Sequence, residues 1–383
     1  VFDEETGLYV FEPVETSTDN VLINSDWSSL ASGTVVSYNG KHYRIGTNAF
    51  GNLGDALNGN CNAADDTTGT TVKLLGDISF KETTTIWPDF EYELSNNLNI
   101  TADSPVVIDI TKPLDSGSQN YELILISKDT ENPVTVTFGE NVTVNTNSKI
   151  WLGRDVSAVN YVIDGSIIQT AKEEAQSGVL QIQLCEKSTA ILNGSISGAQ
   201  YGFQISGGTF TVSDTGKLSV GTIAIEAGRN NAHDAGMFIV DGSKNVTGAA
   251  ITINETNGQR GAGYQAGASL INGAEVTLSG GVTVCDGGTV TIDGGSVLNA
   301  AGDVKLGNGV AVNAGITLNM TNSSSLTAAG FTADAMVSIA LDSSSIKADS
   351  FDNSGFTMLL NGSTIDAGSV TVNAGGGRAG CSV

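Results

Sequence analysis

Residues 276–318 read VTLSGGVTVCDGGTVTIDGGSVLNAAGDVKLGNGVAVNAGITL. Seven short phrases recur in it: VTL (276–278), VTV (282–284), VTI (290–292), VLN (297–299), VKL (304–306), VAV (310–312) and ITL (316–318). Most place an outward polar residue between two apolar ones, the period of a strand with one buried face. Their starts fall six to eight residues apart, and Gly, Asn, Asp or Ser fill the gaps. Strands and links this short do not readily build paired hairpins, but they can coil. Three such strands make a turn of roughly 20–22 residues, within the range of solenoid repeats. Apolar side chains then stack inward, Thr and Ser face water, and Gly and Asn take the corners where left-handed backbone is needed.

The same grammar runs less regularly through VVIDI (106–110), YELILI (121–126), VTVTF (134–138), KIWLG (149–153) and YVIDG (161–165). AKEEA (171–175) interrupts it with helix-favouring residues and reads as a looped excursion. An antiparallel sandwich also gives short strands with turns. The close spacing of the strands favours an all-β, right-handed parallel β-helix. From Thr71 onward the chain predicts about 14 turns and a rod of about 70 Å.

The first fifty residues differ. TVVSY-NG-KHYRI (34–45) holds Asn39-Gly40 between two β-prone runs, the signature of a two-residue hairpin turn. Trp27 and the runs LYVF and VLIN are expected to pack beneath it. Phe50, Leu53, Ala56 and Leu57 then share one face of a short helix, with Asn52 to cap it and Gly59 to end it. The chain therefore divides into a β-rich N-terminal element, 1–50, and a capping helix with the β-helix, 51–383. The first of these is the expected docking surface.

Forty-eight Gly against 5 Pro suits frequent turns and excludes collagen or proline-rich disorder. With 17 Lys+Arg against 41 Asp+Glu, the net charge of −24 repels phosphates and anionic membrane surfaces, which argues against a nucleic-acid partner. No stretch reaches the roughly 18 apolar residues of a spanning helix, so this segment is not expected to insert in a membrane. VFDEETGLYVF lacks the basic region of a signal peptide. The start at Val1 favours a mature chain or fragment over a cytoplasmic protein, and the acidity suits an extracellular or cell-surface location. Eight N-x-S/T triplets occur, as chance predicts in so Asn- and Thr-rich a chain, and carry no argument for glycosylation.

GKHYRIGTNAFGNLGDALNG followed by TTVKLLGDISF resembles the opening of bacterial surface proteins with right-handed parallel β-helix, pectate-lyase-like passengers. INSDWSSLASGTVVSYNGKHY is similar to segments of large secreted adhesin-like repeat proteins. The likeness is best over residues 20–80 and implies a passenger-type surface scaffold; it supplies no catalytic residues. Type V autotransporters end in a membrane barrel, and nothing near GGGRAGCSV resembles one. The expectation is that a barrel was removed or that another route exports the chain.

Many β-helices degrade polysaccharides, so catalytic groups need a search. Glycoside hydrolysis requires two flanking carboxylates. Polygalacturonase-like members carry N-T-D, D-D and G-H-G phrases on successive turns. Here the one D-D is Asp65-Asp66 in a loop, and G-H-G is missing. A pectate-type lyase needs a basic residue beside calcium-binding aspartates, and there are five Arg. GRNNAHDAG groups Arg229, His233 and Asp234, a general base with an orienting carboxylate, although a polar corner loop explains it as well. His42 reads as a cross-strand surface residue. Asp286 and Asp293 sit at successive corners and permit calcium, but the tandem repeats of calcium-filled β-rolls are missing. No cofactor is expected.

Cys61, Cys185, Cys285 and Cys381 form no C-x-x-C. Cys185 and Cys285 are about five turns apart, roughly 24 Å by strand spacing, too far for a disulfide, and read as core residues. Cys61 and Cys381 fall at opposite ends, where head-to-tail subunits would bring them together, although two unpaired thiols are the simpler state. The sequence thus predicts a non-catalytic adhesin passenger, stalk or filament subunit. Its expected partners are further copies joined end to end, or a host or cell-surface glycan or protein. A carbohydrate-active β-helix enzyme and a phage-type receptor-binding spike are the alternatives.

Overall fold

A computed structural model describes residues 2–3, 8–9, 21–59, 70–79, 89–111, 122–127, 129, 131–147, 150–153, 158–170, 182–185, 187–198, 202–226, 235–254, 266–307 and 315–373. Among the described residues the protein is all-β apart from two short helical segments, and two long sheets of 14 and 21 strands hold most of the strands. Pairing within both long sheets is parallel, and neighbours in the 14-stranded sheet follow chain order from Thr70–Leu74 to Phe356–Leu360. The larger sheet contains two ladders side by side. One runs through Val246–Gly248, Glu275–Leu278 and Val297–Ala300; the other runs through Ala250–Ile253, Val282–Val284 and Val304–Leu306. They merge in three nine-residue strands, Ser325–Ala333, Ser345–Asn353 and Thr364–Val372. This order is consistent with a coil of three-strand turns.

Six of the seven phrases between 276 and 318 lie in strands; VAV (310–312) lies outside the described residues. Alternation sets the faces: Thr289–Ile292 and Ile316–Met320 bury every second side chain. Register then stacks like on like. Ile292, Met320, Leu341 and Leu359 form one column, and Val282, Val304, Phe331 and Phe351 form another. Phe331 and Phe351 stack at 5.0 Å, and Phe203 meets Phe210 edge to face at 4.7 Å. One cluster of buried apolar residues extends from Val21 to Phe351. Within it, Tyr161 satisfies its polar tip: the hydroxyl donates to the Leu125 carbonyl at 2.7 Å and accepts from the Gly153 N–H at 2.8 Å.

The turn length departs from expectation. Gly267 pairs with Thr289 and Ile316 with Val337, separations of 22 and 21 residues, but Leu98 pairs with Val136, 38 residues on. Insertions between strands consume chain without adding a turn. The smaller sheet accordingly holds twelve strands from Thr70 on, where a uniform repeat gives about fourteen. The expected excursion at AKEEA lies outside the described residues.

At the N-terminal side, Val35–Tyr38 and Lys41–Arg44 form the antiparallel hairpin. Its turn residues Asn39 and Gly40 have φ of 49° and 75°, as a two-residue turn of this hand requires. Leu22, Tyr43, Ile45 and Ala49 form a small core of their own, with Trp27 packed against it. Of LYVF, only Leu8–Tyr9 is described, paired with Phe2–Asp3. Val21–Ile23 pairs in parallel with Thr70–Leu74, and Ala49–Phe50 pairs with Val21–Ile23, extending the smaller sheet. Asp103 ties the hairpin to the sheet, accepting from the Tyr38 hydroxyl and pairing with Lys73 Nζ, both at 2.7 Å.

Helix α1 spans Leu53–Gly59. Asn52 Oδ1 accepts from the Asp55 N–H at 2.8 Å while Asn52 Nδ2 donates to Asp55 Oδ2 at 2.7 Å, satisfying groups that open a helix. Leu53, Ala56 and Leu57 bury one face in the main core. A Cβ at Gly54 would stand 2.9 Å from the Tyr92 hydroxyl, so a larger residue there would displace the tip of that side chain. Burial, with the nearby Asp55 charge, pushes the Tyr92 pKa up to about 12.

Candidate functional site

The corner following the smaller sheet's strands carries a recurring phrase. Asp164-Gly165-Ser166, Asn193-Gly194-Ser195, Asp241-Gly242-Ser243, Asn272-Gly273-Ala274 and Asn361-Gly362-Ser363 are variants of it. In each of four neighbouring pairs an Asn Nδ2 donates to an Asp Oδ1 at 2.7 Å: Asn193 to Asp164, Asn272 to Asp241, Asn322 to Asp293, and Asn361 to Asp342. From Asp241 to Asn361 the corner alternates acid and amide. Two carboxylates one strand spacing apart would repel, and an intervening amide replaces that repulsion with a charge-assisted hydrogen bond. Asn272, Asn322 and Asn361 adopt φ near 55°, a conformation that Asn tolerates. Beneath them the buried hydroxyls of Ser296, Ser324 and Ser344 donate to the carbonyls of Asp293, Thr321 and Asp342. Ser344 and Ser363 also accept the N–H of Ser324 and Ser344 on the turn before. This polar stack fixes corner geometry.

Asp293, one of the two calcium candidates, is engaged in that stack. Its Oδ1 accepts from Thr321 Oγ1 at 2.5 Å, from Asn322 Nδ2 and from the Gly294 N–H, which together hold its carboxyl below the ordinary range. Asp286 is buried at a different corner, where its backbone carbonyl accepts from Asn254 Nδ2 at 2.9 Å. Among the described residues no three His, Cys, Asp or Glu side chains gather as a metal set.

Arg229, His233 and Asp234 lie outside the described residues, as do Cys61 and Cys381. Cys185 and Cys285 are buried beside the second ladder of the larger sheet. Leu184 and Val284, which precede them, are joined through Ile205, Ile225 and Ile253, four pairings apart rather than five. That is still about 19 Å, beyond disulfide reach. His42 faces Ser37 across the hairpin, Nδ1 to Oγ 3.0 Å, at an exposed position.

The last described turn is the second notable region. Phe356, Met358 and Leu360 point outward and are 41%, 39% and 44% exposed. On the strand before, the register partners are Ser338, Ala340 and Asp342. The inward columns open as well: Phe351 is 3% exposed, and its partner Val370 is 59% exposed. Leu359, Ile365 and Ala367 are partly buried against the core. Phe356–Leu360 and Thr364–Val372 are also edge strands of the parallel ladders among the described residues. Chemically this is a surface for burial and strand pairing. The corner motif could have been found from the spaced D/N-G-S phrases, and the last turn from the apolar outer positions of FTMLL. A shallow groove lined by Gly198, Ser219, Val220, Gly221, Thr247, Gly248, Ala249 and Ser279 runs along the bend between the two ladders. Compared with protein-family models, curated proteins and solved structures, the chain matches none of them.

Proposed function

We propose that this chain is a right-handed parallel β-helix rod of the bacterial secreted or cell-surface type, acting as an adhesive passenger, stalk or filament subunit without a catalytic step. The hand follows from the strong right-handed preference of parallel crossovers. Helix α1 is its lid at the N-terminal side, turning Leu53, Ala56 and Leu57 onto the first turns. The observation that carries the reading is continuity: in-register apolar columns join turn to turn through one core, as repeat rods require. Such a body transmits force and spaces its ends, and its work lies in the flank, the corners and the ends. A surplus of carboxylates keeps it soluble outside the cell. Its partners are further copies, or glycans or proteins at a cell surface.

Negative-stain electron microscopy of the purified chain tests this. Rods roughly 60 Å or longer, one strand spacing per turn, are expected. Compact particles of equal axes would overturn it, and detergent-resistant trimers would point to a receptor-binding spike.

A further inference from the structure

We propose that the outer face of the smaller sheet docks on the same face of a second copy, pairing two rods side by side. This rests on the reading of the chain as a rod whose partners include further copies, and it names the surface on which two copies meet.

Register defines the face. From Val134–Phe138 to Phe356–Leu360 ten strands of the smaller sheet follow one another, and each pairs with the next without a slip. Two outward positions on each strand therefore stack into two columns. One runs from Thr135 to Phe356, the other from Thr137 to Met358. These positions hold Thr, Ser, Asn, Gly, Ala, Val, Ile, Met and Phe, and not one charged residue. Apolar members are spread along the face: Ile191 is 43% exposed, and Val162, Met237 and Ile239 are half-buried. The outward positions of the larger sheet differ. Lys217, Glu275, Lys305, Lys347, Asp352 and Asp366 all occupy them.

That contrast selects the partner. The chain carries a net charge of −24, so two copies repel over most of their surfaces. A face without charges is where an equally acidic body approaches at the lowest electrostatic cost, and no charged side chain has to leave water when the two meet. The acids nearest to it, Asp241, Asp293 and Asp342, lie at the bordering corner and are already held by Asn272, Asn322 and Asn361.

The dimensions suffice. Nine strand spacings give a length of about 43 Å, and four residues of strand give a width of about 13 Å. Two such faces bury about 1,100 Å² between them, above the roughly 1,000 Å² that a specific interface needs. Stacked sheets pack about 10 Å apart, close enough for the short and β-branched side chains of the two faces to interdigitate. Because both copies offer the same patch, the contact is isologous and closes at two.

The test uses the full chain in sedimentation velocity over a concentration series, with electron microscopy alongside. Wild type should pass from single rods to pairs, which are wider without being longer. Raising the salt should strengthen pairing, because it screens the repulsion between the two acidic bodies. Ile239→Asp sets an unpaired charge in the middle of the face, twice per pair, and should weaken pairing on the order of a hundredfold. Thr211→Asp, at the register neighbour of Ile239, should act similarly. It replaces a side chain that is already polar, so it tests the face even if the first variant unfolds. Thr252→Asp adds the same charge to an outward position of the larger sheet and should leave pairing unchanged. Circular dichroism checks the fold of each variant. Single rods at every concentration, pairing that survives Thr211→Asp, or an equal loss from Thr252→Asp overturns the inference and leaves the rod intact. Pairing that weakens as salt rises, or that lengthens the rods, does the same. Particles that are not rods overturn both readings.

Discussion

Tyr161 shows how this interior treats a polar atom. The side chain is fully buried, and its hydroxyl joins two backbone groups from different turns, the Leu125 carbonyl and the Gly153 N–H. Burial drives its pKa far above that of an ordinary phenol, so it acts as a neutral bridge at any working pH. Tyr161→Phe preserves the ring and orphans both partners; a loss of about 1–3 kcal/mol in chemical denaturation is expected. Asp293 gives the opposite case at an accessible corner. Its folded pKa is depressed by Thr321, Asn322 and the Gly294 N–H. The unfolded state therefore takes up a proton first as pH falls, so this group's stabilisation is present above the ordinary carboxylate value near 3.9 and disappears as pH drops through the folded value. Thermal melts of wild type and Asp293→Ala should differ most near neutral pH and converge in acid. A constant gap across the series would assign the corner's contribution to packing instead.

The elements follow from local patterning wherever the chain repeats faithfully. The alternation in 276–306 placed its strands, Asn39-Gly40 placed the hairpin, and the spacing of Leu53, Ala56 and Leu57 matches the buried face of α1. What escaped was long-range. Turn lengths vary from 18 residues between Ser338 and Phe356 to 38 between Leu98 and Val136, and no local pattern marks an insertion as belonging to one turn. The Asp–Asn corner pairs are hidden similarly, since Asp293 and Asn322 lie 29 positions apart and meet only once register is known. The catalytic candidates at 229–234 and both terminal cysteines fall outside the described residues, so the geometry neither joins nor separates them. Register yields a test at this scale. Gly267 and Thr289 occupy equivalent places, so deleting residues 268–289 removes one turn without changing which side chains face inward. That variant should fold, with circular dichroism near wild type; its melt should be lower at neutral pH, because loss of Asn272 sets Asp241 beside Asp293, and adding Asp293→Asn should recover it. Deleting Thr277 alone reverses the faces of what remains of its strand and should cost several times more stability.

At the scale of the molecule, Leu53, Ala56 and Leu57 of helix α1 are almost wholly buried in the main core, while Phe356 and Val370, on the last described strands, are exposed. Neighbouring strands throughout the main body are joined by parallel ladders, so in the proposed rod their hydrogen bonds point along the long axis. Tension applied between the ends therefore pulls those bonds nearly straight apart, one ladder step at a time, instead of shearing many together. A tethered rod of the proposed kind would yield turn by turn, each turn released paying out a length set by its own residue count. Long turns such as that from Leu98 to Val136 would then give large extensions and short ones small extensions. The irregular insertions that blur the repeat in the sequence would become a graded mechanical fuse.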